Sequence, residues 1–269
     1  MKLILMGTNA FVVPIFDNIS KKHDIVAVFT RAPKPMGRKQ VLTKSPVHEW
    51  AISHGLDVYT SIKDFNNNMK SDLIIVISYG VILRDNVLGA TKCVNIHPSD
   101  LPKYRGPSPI RTALYNGDKK SAVCLMQMNS DMDAGDIIIR REFDITDDDT
   151  NNTVENRVSQ VAIDILNEYL QKPDSYIASP QIGTPTYTKK FSGLDEIIDW
   201  SRGATSIHNQ IRALGAGRTK INGIDVKILE TKIENNELNI LKIQPSGKKP
   251  MDWKSFVNGL HGATITIGK

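Results

Sequence analysis

Leu73-Ile74-Ile75-Val76-Ile77 is the stretch that decides the fold. Five apolar residues in a row, with no polar alternation, belong to a strand buried on both faces, the situation of a central strand in a parallel sheet. The run is far too short to cross a bilayer. Upstream, Leu3-Ile4-Leu5-Met6 ends at Gly7 and reads the same way, followed by strand patterns at residues 25–29 and 58–59. Downstream come strands at 92–96, 122–128 and 137–143, the last two able to pair across their intervening loop. Helical patterns lie between them. Residues 11–21 place Ile15, Phe16 and Ile19 on one face, and 46–54 carry Pro46 in the first turn. Ser61 can cap a helix through Met69, and 108–116 is helical. Residues 150–171 form a long amphipathic helix with Val154, Val158, Val161, Ile165 and Leu166 on one face.

This alternation predicts a doubly wound, mostly parallel α/β sheet, with a ligand crevice beyond the carboxyl ends of its central strands. Residues 177–191 then lose periodicity and collect Pro180, Gly183 and Pro185, as a linker does. Helical pieces over 194–214 lead into short strand-like runs at 219–221, 226–229, 238–243 and 264–267, which read as a small β-rich domain. The expected plan is a catalytic domain at 1–176, a linker at 177–198 and a second domain at 199–269.

The chain has 269 residues, 40% of them hydrophobic, which is ordinary for a globular protein and excludes a disordered, collagen-like or coiled-coil chain. Two cysteines, Cys93 and Cys124, both in apolar runs, rule out a disulfide framework and read as buried small hydrophobes in a reducing compartment. The opening MKLILMG reaches glycine too soon for a signal peptide, so a soluble, cytoplasmic protein is expected. Residues 1–198 carry equal numbers of basic and acidic side chains, 23 each, so the net charge of +5 lies entirely in residues 199–269. A polyanionic partner would feel that end first. A second basic stretch, 25–48, holds Arg31, Lys34, Arg38, Lys39 and Lys44 with no acid among them. On charge alone, a solvated loop accounts for it as well as a binding surface does.

Two segments carry chemistry. In Val94-Asn95-Ile96-His97-Pro98-Ser99-Asp100-Leu101-Pro102-Lys103-Tyr104-Arg105-Gly106-Pro107, strand alternation puts Asn95 and His97 on one side, at the carboxyl end of a strand. The loop after them is stiffened by proline and glycine. Asn donates a hydrogen bond at any pH and His can donate or carry a proton near neutrality, so the pair suits an oxyanion. An Asn and a His in a buried loop also serve structure alone. In Asn129-Ser130-Asp131-Met132-Asp133-Ala134-Gly135-Asp136, three carboxylates lie between two strands. They make either an acidic turn or a carboxylate aimed at the same crevice. No metal-ligand spacing accompanies them, and no metal is expected. Gly7-Thr8-Asn9 lacks the G-x-G-x-x-G pattern, so a dinucleotide fingerprint is absent.

The N-I-H…L-P-x-Y-R-G pattern of residues 95–106 and the D-x-G of 133–135 resemble the active-site signatures of the methionyl-tRNA formyltransferases, within the folate-dependent formyltransferases. Residues 30–38 through 45–47 resemble that family's tRNA-contacting loop insertion, Tyr187-Thr188-Lys189-Lys190 its linker, and residues 241–251 the close of its C-terminal domain. The resemblance implies a Rossmann-like formyltransferase domain followed by a small oligonucleotide-binding-like β-barrel, here shortened, with about four strand-like runs for the five of that fold. It implies formyl transfer from 10-formyltetrahydrofolate, as co-substrate, to the amino group of methionyl-initiator tRNA, by a monomer that needs neither a metal nor a membrane. Asn95 and His97 would hold the oxyanion, and Asp133 would orient His97 and relay a proton. The folate would lie along Ser78, Tyr79, Gly80 and Val81 and beside Ser99, Asp100, Leu101 and Pro102. Arg31, Lys34, Arg38, Lys39 and Lys44, with Lys248 and Lys249 in the second domain, would contact tRNA, Arg38 reaching the bases.

Overall fold

In the computed structural model, which describes residues 1–37, 39–66 and 68–268, the buried runs become the strands of one sheet. Its strands are β1 (Lys2–Gly7), β2 (Asp24–Phe29), β5 (Val58–Tyr59), β6 (Leu73–Ile77), β7 (Cys93–His97), β8 (Lys120–Gln127) and β9 (Ile137–Asp144). A separate two-stranded hairpin, β3 (Lys34–Met36) and β4 (Val41–Thr43), interrupts the series after β2. The seven-stranded order is β5-β2-β1-β6-β7-β8-β9. β5 through β7 are parallel, and β8 turns antiparallel to β7. Leu3, Ile4, Leu5, Ile74, Ile75 and Ile77 have essentially no solvent exposure, as uninterrupted apolar runs require.

From β1 the chain winds outward through β2 to β5, then returns to build β6 and β7 on the other side. The order therefore reverses between β1 and β6, and the crevice opens at the carboxyl ends of these strands. Gly7 closes β1 there for a steric reason: a Cβ would lie 2.9 Å from the Ile77 carbonyl oxygen. Across the switch point, Asn9 Nδ2 donates to Ser78 Oγ at 2.7 Å and Thr8 Oγ1 to the Tyr79 carbonyl at 3.3 Å.

The helices are α1 (Val13–Ser20), α2 (Pro46–Ser53), α3 (Asp85–Leu88), α4 (Pro109–Asn116), α5 (Asn151–Tyr169), α6 (Ala204–Leu214) and α7 (Trp253–Asn258). The helix expected from Ser61 to Met69 is instead a single 3-10 turn, Ile62–Asp64. Ser61 does cap it, accepting from the Lys63 amide at 3.2 Å. Phe65 then goes extended, burying its ring against Phe29 and the sheet core, and Asn66 bonds the local backbone at Asp64 and Asn68. Asparagine competing for backbone groups stops a helix this way.

The chain divides into two compact units that are discontinuous in sequence. One comprises Met1–Pro107, Ser121–Phe143 and Glu155–Tyr187; the other comprises Ser108–Lys120, Asp144–Val154 and Thr188–Lys269. Residues 177–187 are thus more than a connector: Ser179 bridges Ile137 and Tyr187 bridges Arg105 inside the first unit. The second unit contains a four-stranded antiparallel sheet, β10 (Gly217–Ile221), β11 (Ile224–Glu234), β12 (Glu237–Pro245) and β13 (Met251–Asp252), in that order. The run at 264–267 supplies a single bridge from Ile267 to Ile221, and Met251–Asp252 provides the fourth strand. Asn235 and Asn236, both at positive φ, turn β11 tightly into β12. Ile207, Ile211, Ile221, Val226, Ile228, Ile243 and Phe256 form this unit's core, and α4 packs on α6 within it.

Candidate active site

β7 ends on the two residues singled out above. Asn95 pairs in register with Val76 on one side and Met126 on the other, and His97 with Cys124. Both side chains are buried, Asn95 at 8% and His97 at 4% residual exposure. Asp133, on the loop joining β8 to β9, comes to meet them. Its Oδ1 lies 3.5 Å from Asn95 Nδ2 and its Oδ2 lies 3.6 Å from His97 Nδ1. Three residues from two separate segments therefore converge at the carboxyl end of β7.

The short hydrogen bonds of this group involve backbone. His97 Nε2 donates to the Tyr104 carbonyl at 2.9 Å. A carbonyl only accepts, so Nε2 must carry the proton, and the tautomer is fixed. Nδ1 is left as the nitrogen that gains or gives a proton, and it faces Asp133. Asp133 Oδ2 in turn accepts from the Gly106 amide at 2.8 Å. The loop after His97 thus orients both partners, and the Tyr104 carbonyl, more than Asp133, sets the ring of His97. Tyr104 stands at φ +62° and Asp133 at φ +50°, in the left-handed region that costs a non-glycine residue about 1 kcal/mol or more.

The same loop fixes the other predicted residues. Ser99 is fully buried; its hydroxyl donates to the Lys103 carbonyl at 2.6 Å, and its carbonyl accepts from the Cys124 thiol at 3.2 Å. Burial pushes that thiol up to about 11, so it stays protonated. Leu101 packs against Cys124 and Met126. Asp100 pairs with Arg140 Nε at 2.5 Å, which draws its carboxylate into an ion pair. At the end of β6, Ser78 (φ +50°) and Gly80 (φ +75°) form an exposed turn with Val81. The Tyr79 ring is buried in the core, where desolvation and then Asp64 raise its phenol to about 12, leaving it neutral.

Of the basic residues, Lys34 and Lys39 lie exposed on the β3–β4 hairpin and its turn, Lys44 follows exposed, and Arg31 precedes half-buried. Arg38 lies outside the described residues. Lys248 and Lys249 are exposed in the turn between β12 and β13. Sequence reasoning missed Gln181 and Thr186. Gln181 Nε2 donates to the carbonyls of Asp133 (2.9 Å) and Gly135 (2.8 Å), and Thr186 Oγ1 accepts from the Tyr104 amide at 2.9 Å. Both sit in an aperiodic stretch with no motif to mark them. Among the described residues, no group of three or more His, Cys, Asp or Glu is placed to hold a metal ion, and no helix is long and apolar enough to cross a membrane.

An open α/β sheet with amide, imidazole and carboxylate gathered at one strand end is the arrangement of an acyl-type transferase. Residues 1–170 match the formyl transferase family, and residues 190–239 match its C-terminal domain. A methionyl-tRNA formyltransferase of Rickettsia bellii is 34% identical over 300 aligned residues, covering 98% of this chain and 99% of that one. The chain belongs to the methionyl-tRNA formyltransferase family. Two solved structures share the fold. The methionyl-tRNA formyltransferase of Clostridium thermocellum has a TM-score of 0.67 at 17% identity, covering 91% of this chain and 98% of that chain. An N-formyltransferase of Helicobacter canadensis, solved in complex with folinic acid and dTDP-3-aminofucose, has a TM-score of 0.69 at 23% identity, covering 87% of this chain and 88% of that chain.

Proposed function

We propose that the protein transfers the formyl group of 10-formyltetrahydrofolate to the α-amino group of methionine esterified to initiator tRNA, acting as a cytoplasmic monomer in translation initiation. The observation that carries the reading is the meeting of Asn95, His97 and Asp133 at the carboxyl end of β7 in a chain of this family.

The chemistry follows from the atoms. The amine nitrogen attacks the formyl carbon and a tetrahedral oxyanion forms. Asn95 Nδ2, a donor at every pH, faces that oxygen, and one such donor contributes about 3 kcal/mol to the transition state. An α-amino group titrates near 7.7–8.0, so part of it is free base at neutral pH. After attack, the nitrogen sheds a proton and the carbon–N10 bond of the folate breaks, N10 leaving with a proton. His97 Nδ1, the nitrogen not bound to the Tyr104 carbonyl, takes the first and gives it up to N10, and Asp133 stabilises the imidazolium between the two transfers. The folate ring would lie along Ser78, Tyr79, Gly80 and Val81, and beside Ser99, Asp100, Leu101 and Pro102. With the side chains of Tyr79, Ser99 and Leu101 buried, these three would offer backbone groups. The folinic acid complex of the Helicobacter canadensis enzyme supports a folate co-substrate.

The first unit, which includes residues 177–187, would do the chemistry, and residues 199–269 of the second would contact tRNA. Arg31, Lys34, Arg38, Lys39 and Lys44 would grip the acceptor end, and Lys248 and Lys249 its phosphates, making affinity salt-dependent. The test is formylation of methionyl-tRNA by purified protein with formylfolate. Asn95→Ala, His97→Ala and Asp133→Ala should each lower kcat 10²- to 10³-fold with little change in Tm. A folded protein that formylates an amino-sugar nucleotide but not methionyl-tRNA would overturn the acceptor; three near-normal variants would overturn the site.

A further inference from the structure

The Gly106 amide fixes one oxygen of the Asp133 side chain, but that does not place its backbone. Asp133 sits at φ +50° on a half-buried stretch of its loop, and its carbonyl and that of the buried Gly135 converge on one point. Two converging acceptors repel unless something donates to both. That donor is the side-chain amide of Gln181: Nε2 gives one hydrogen to the Asp133 carbonyl at 2.9 Å and the other to the Gly135 carbonyl at 2.8 Å. The other end of the same amide is equally committed. Gln181 Oε1 accepts from Arg105 Nε at 3.1 Å and from Arg105 Nη2 at 2.7 Å. Arg105 lies between Tyr104, whose carbonyl fixes His97, and Gly106, whose amide fixes Asp133. One planar group thus spans the loop that carries Asp133 and the loop that follows His97, with all four of its hydrogen bonds made.

We propose that Gln181 is a positioning residue for the transfer: its amide sets the spacing between Asp133 and His97 by tying the Asp133 loop to the guanidinium of Arg105, the residue between Tyr104 and Gly106. Gln181 does not touch the reacting atoms. It acts through the carbonyls it holds, so removing it leaves both substrates' binding groups in place and disturbs the step in which Asp133 and His97 cooperate. The inference rests on the formyl-transfer reading above, and its test separates the two.

Gln181→Glu is the decisive variant. Its carboxylate keeps the Arg105 contact, and strengthens it with charge, but turns an acceptor toward the two carbonyls in place of a double donor. Gln181→Met removes both ends at nearly constant volume. Steady-state kinetics on methionyl-tRNA and formylfolate, thermal unfolding, and amide hydrogen exchange at Gly106 are measured on each. The expected result is a kcat about 10- to 100-fold lower, as ångström-scale misplacement produces, with each KM within twofold. Gly106 exchange should rise at least tenfold as its carboxylate partner drifts, and Gln181→Glu should be impaired as severely as Gln181→Met despite its retained Arg105 pair. A Gln181→Glu protein with kcat within twofold of wild type, an effect confined to KM, or unchanged Gly106 exchange would overturn the inference. If wild-type protein formylates nothing, the functional reading fails, while Gly106 exchange still decides whether Gln181 holds the loop.

Discussion

Gly135→Ala tests whether the loop carrying Asp133 is fixed by contact with β8. A Cβ at Gly135 would stand 1.7 Å from the Gln127 carbonyl oxygen, 2.9 Å from its carbonyl carbon and 3.6 Å from Met128 Cα. A carbon and an oxygen of this kind approach to about 3.3 Å, so the gap must open by roughly 1.6 Å. All three neighbours are backbone, and no rotamer change relieves the clash. Gln127 is held in β8, its amide donating to the Asp136 carbonyl at 2.9 Å, so the loop must move instead. Overpacking of this sort costs about 1–3 kcal/mol. A shift of that size two residues from Asp133 exceeds the ~1 Å misplacement that lowers turnover about 10²-fold. The control is Gly193→Ala, whose new methyl meets nothing within 4 Å and whose φ is outside the left-handed region. Formyl transfer would be followed under single-turnover conditions beside thermal unfolding of each variant. A folded Gly135→Ala protein with kcat within threefold of wild type would refute the claim that this loop's position limits the chemistry.

Other expectations concern stability. Ser45 caps α2, accepting from the His48 amide at 3.0 Å, and shares a fully buried hydroxyl pair with Thr30 at 2.7 Å; Ser45→Ala should cost about 2–3 kcal/mol in urea unfolding through the lost cap and the orphaned Thr30 hydroxyl, and a loss under about 0.5 kcal/mol would contradict this. Asp195 is held down to about 2, first by the Lys189 ammonium and then by the Ser192 amide and hydroxyl. Its value in the unfolded chain is near 3.9, so its contribution is complete above about pH 4 and disappears as pH falls through about 2. Asp195→Asn should therefore flatten part of the acid limb of the stability curve, and parallel curves for the two proteins between pH 4 and 2 would exclude that role.

Much of the fold was legible because its central strands advertise themselves. A strand buried on both faces must be apolar throughout, and Leu73–Ile77 meets that demand without interruption. The cap at Ser61 shows in the sequence, but residue type alone does not show that Asn66 competes for backbone groups just beyond it and ends the helix after one turn. Asn95, His97 and Asp133 were visible because their chemistry lies in side chains at a strand end. Gln181, Thr186 and the Tyr104 carbonyl were not, since they act on backbone, and backbone partners leave no signature in residue type. Likewise α4 shows an apolar face in the sequence, but a periodic face does not say against which distant helix it will be laid.

That α4 belongs to the second unit bears on how the molecule can be divided. α4 packs on α6, almost ninety positions further along, and buries Ile110, Ala113 and Leu114. A scissile point chosen by reading along the polymer, anywhere between the two helices, would orphan α4 and leave its greasy side wet. Anyone grafting the carboxyl-terminal portion onto another member of the family must import a matching α4 as well, for the seam that matters runs through space and is crossed by the chain more than once.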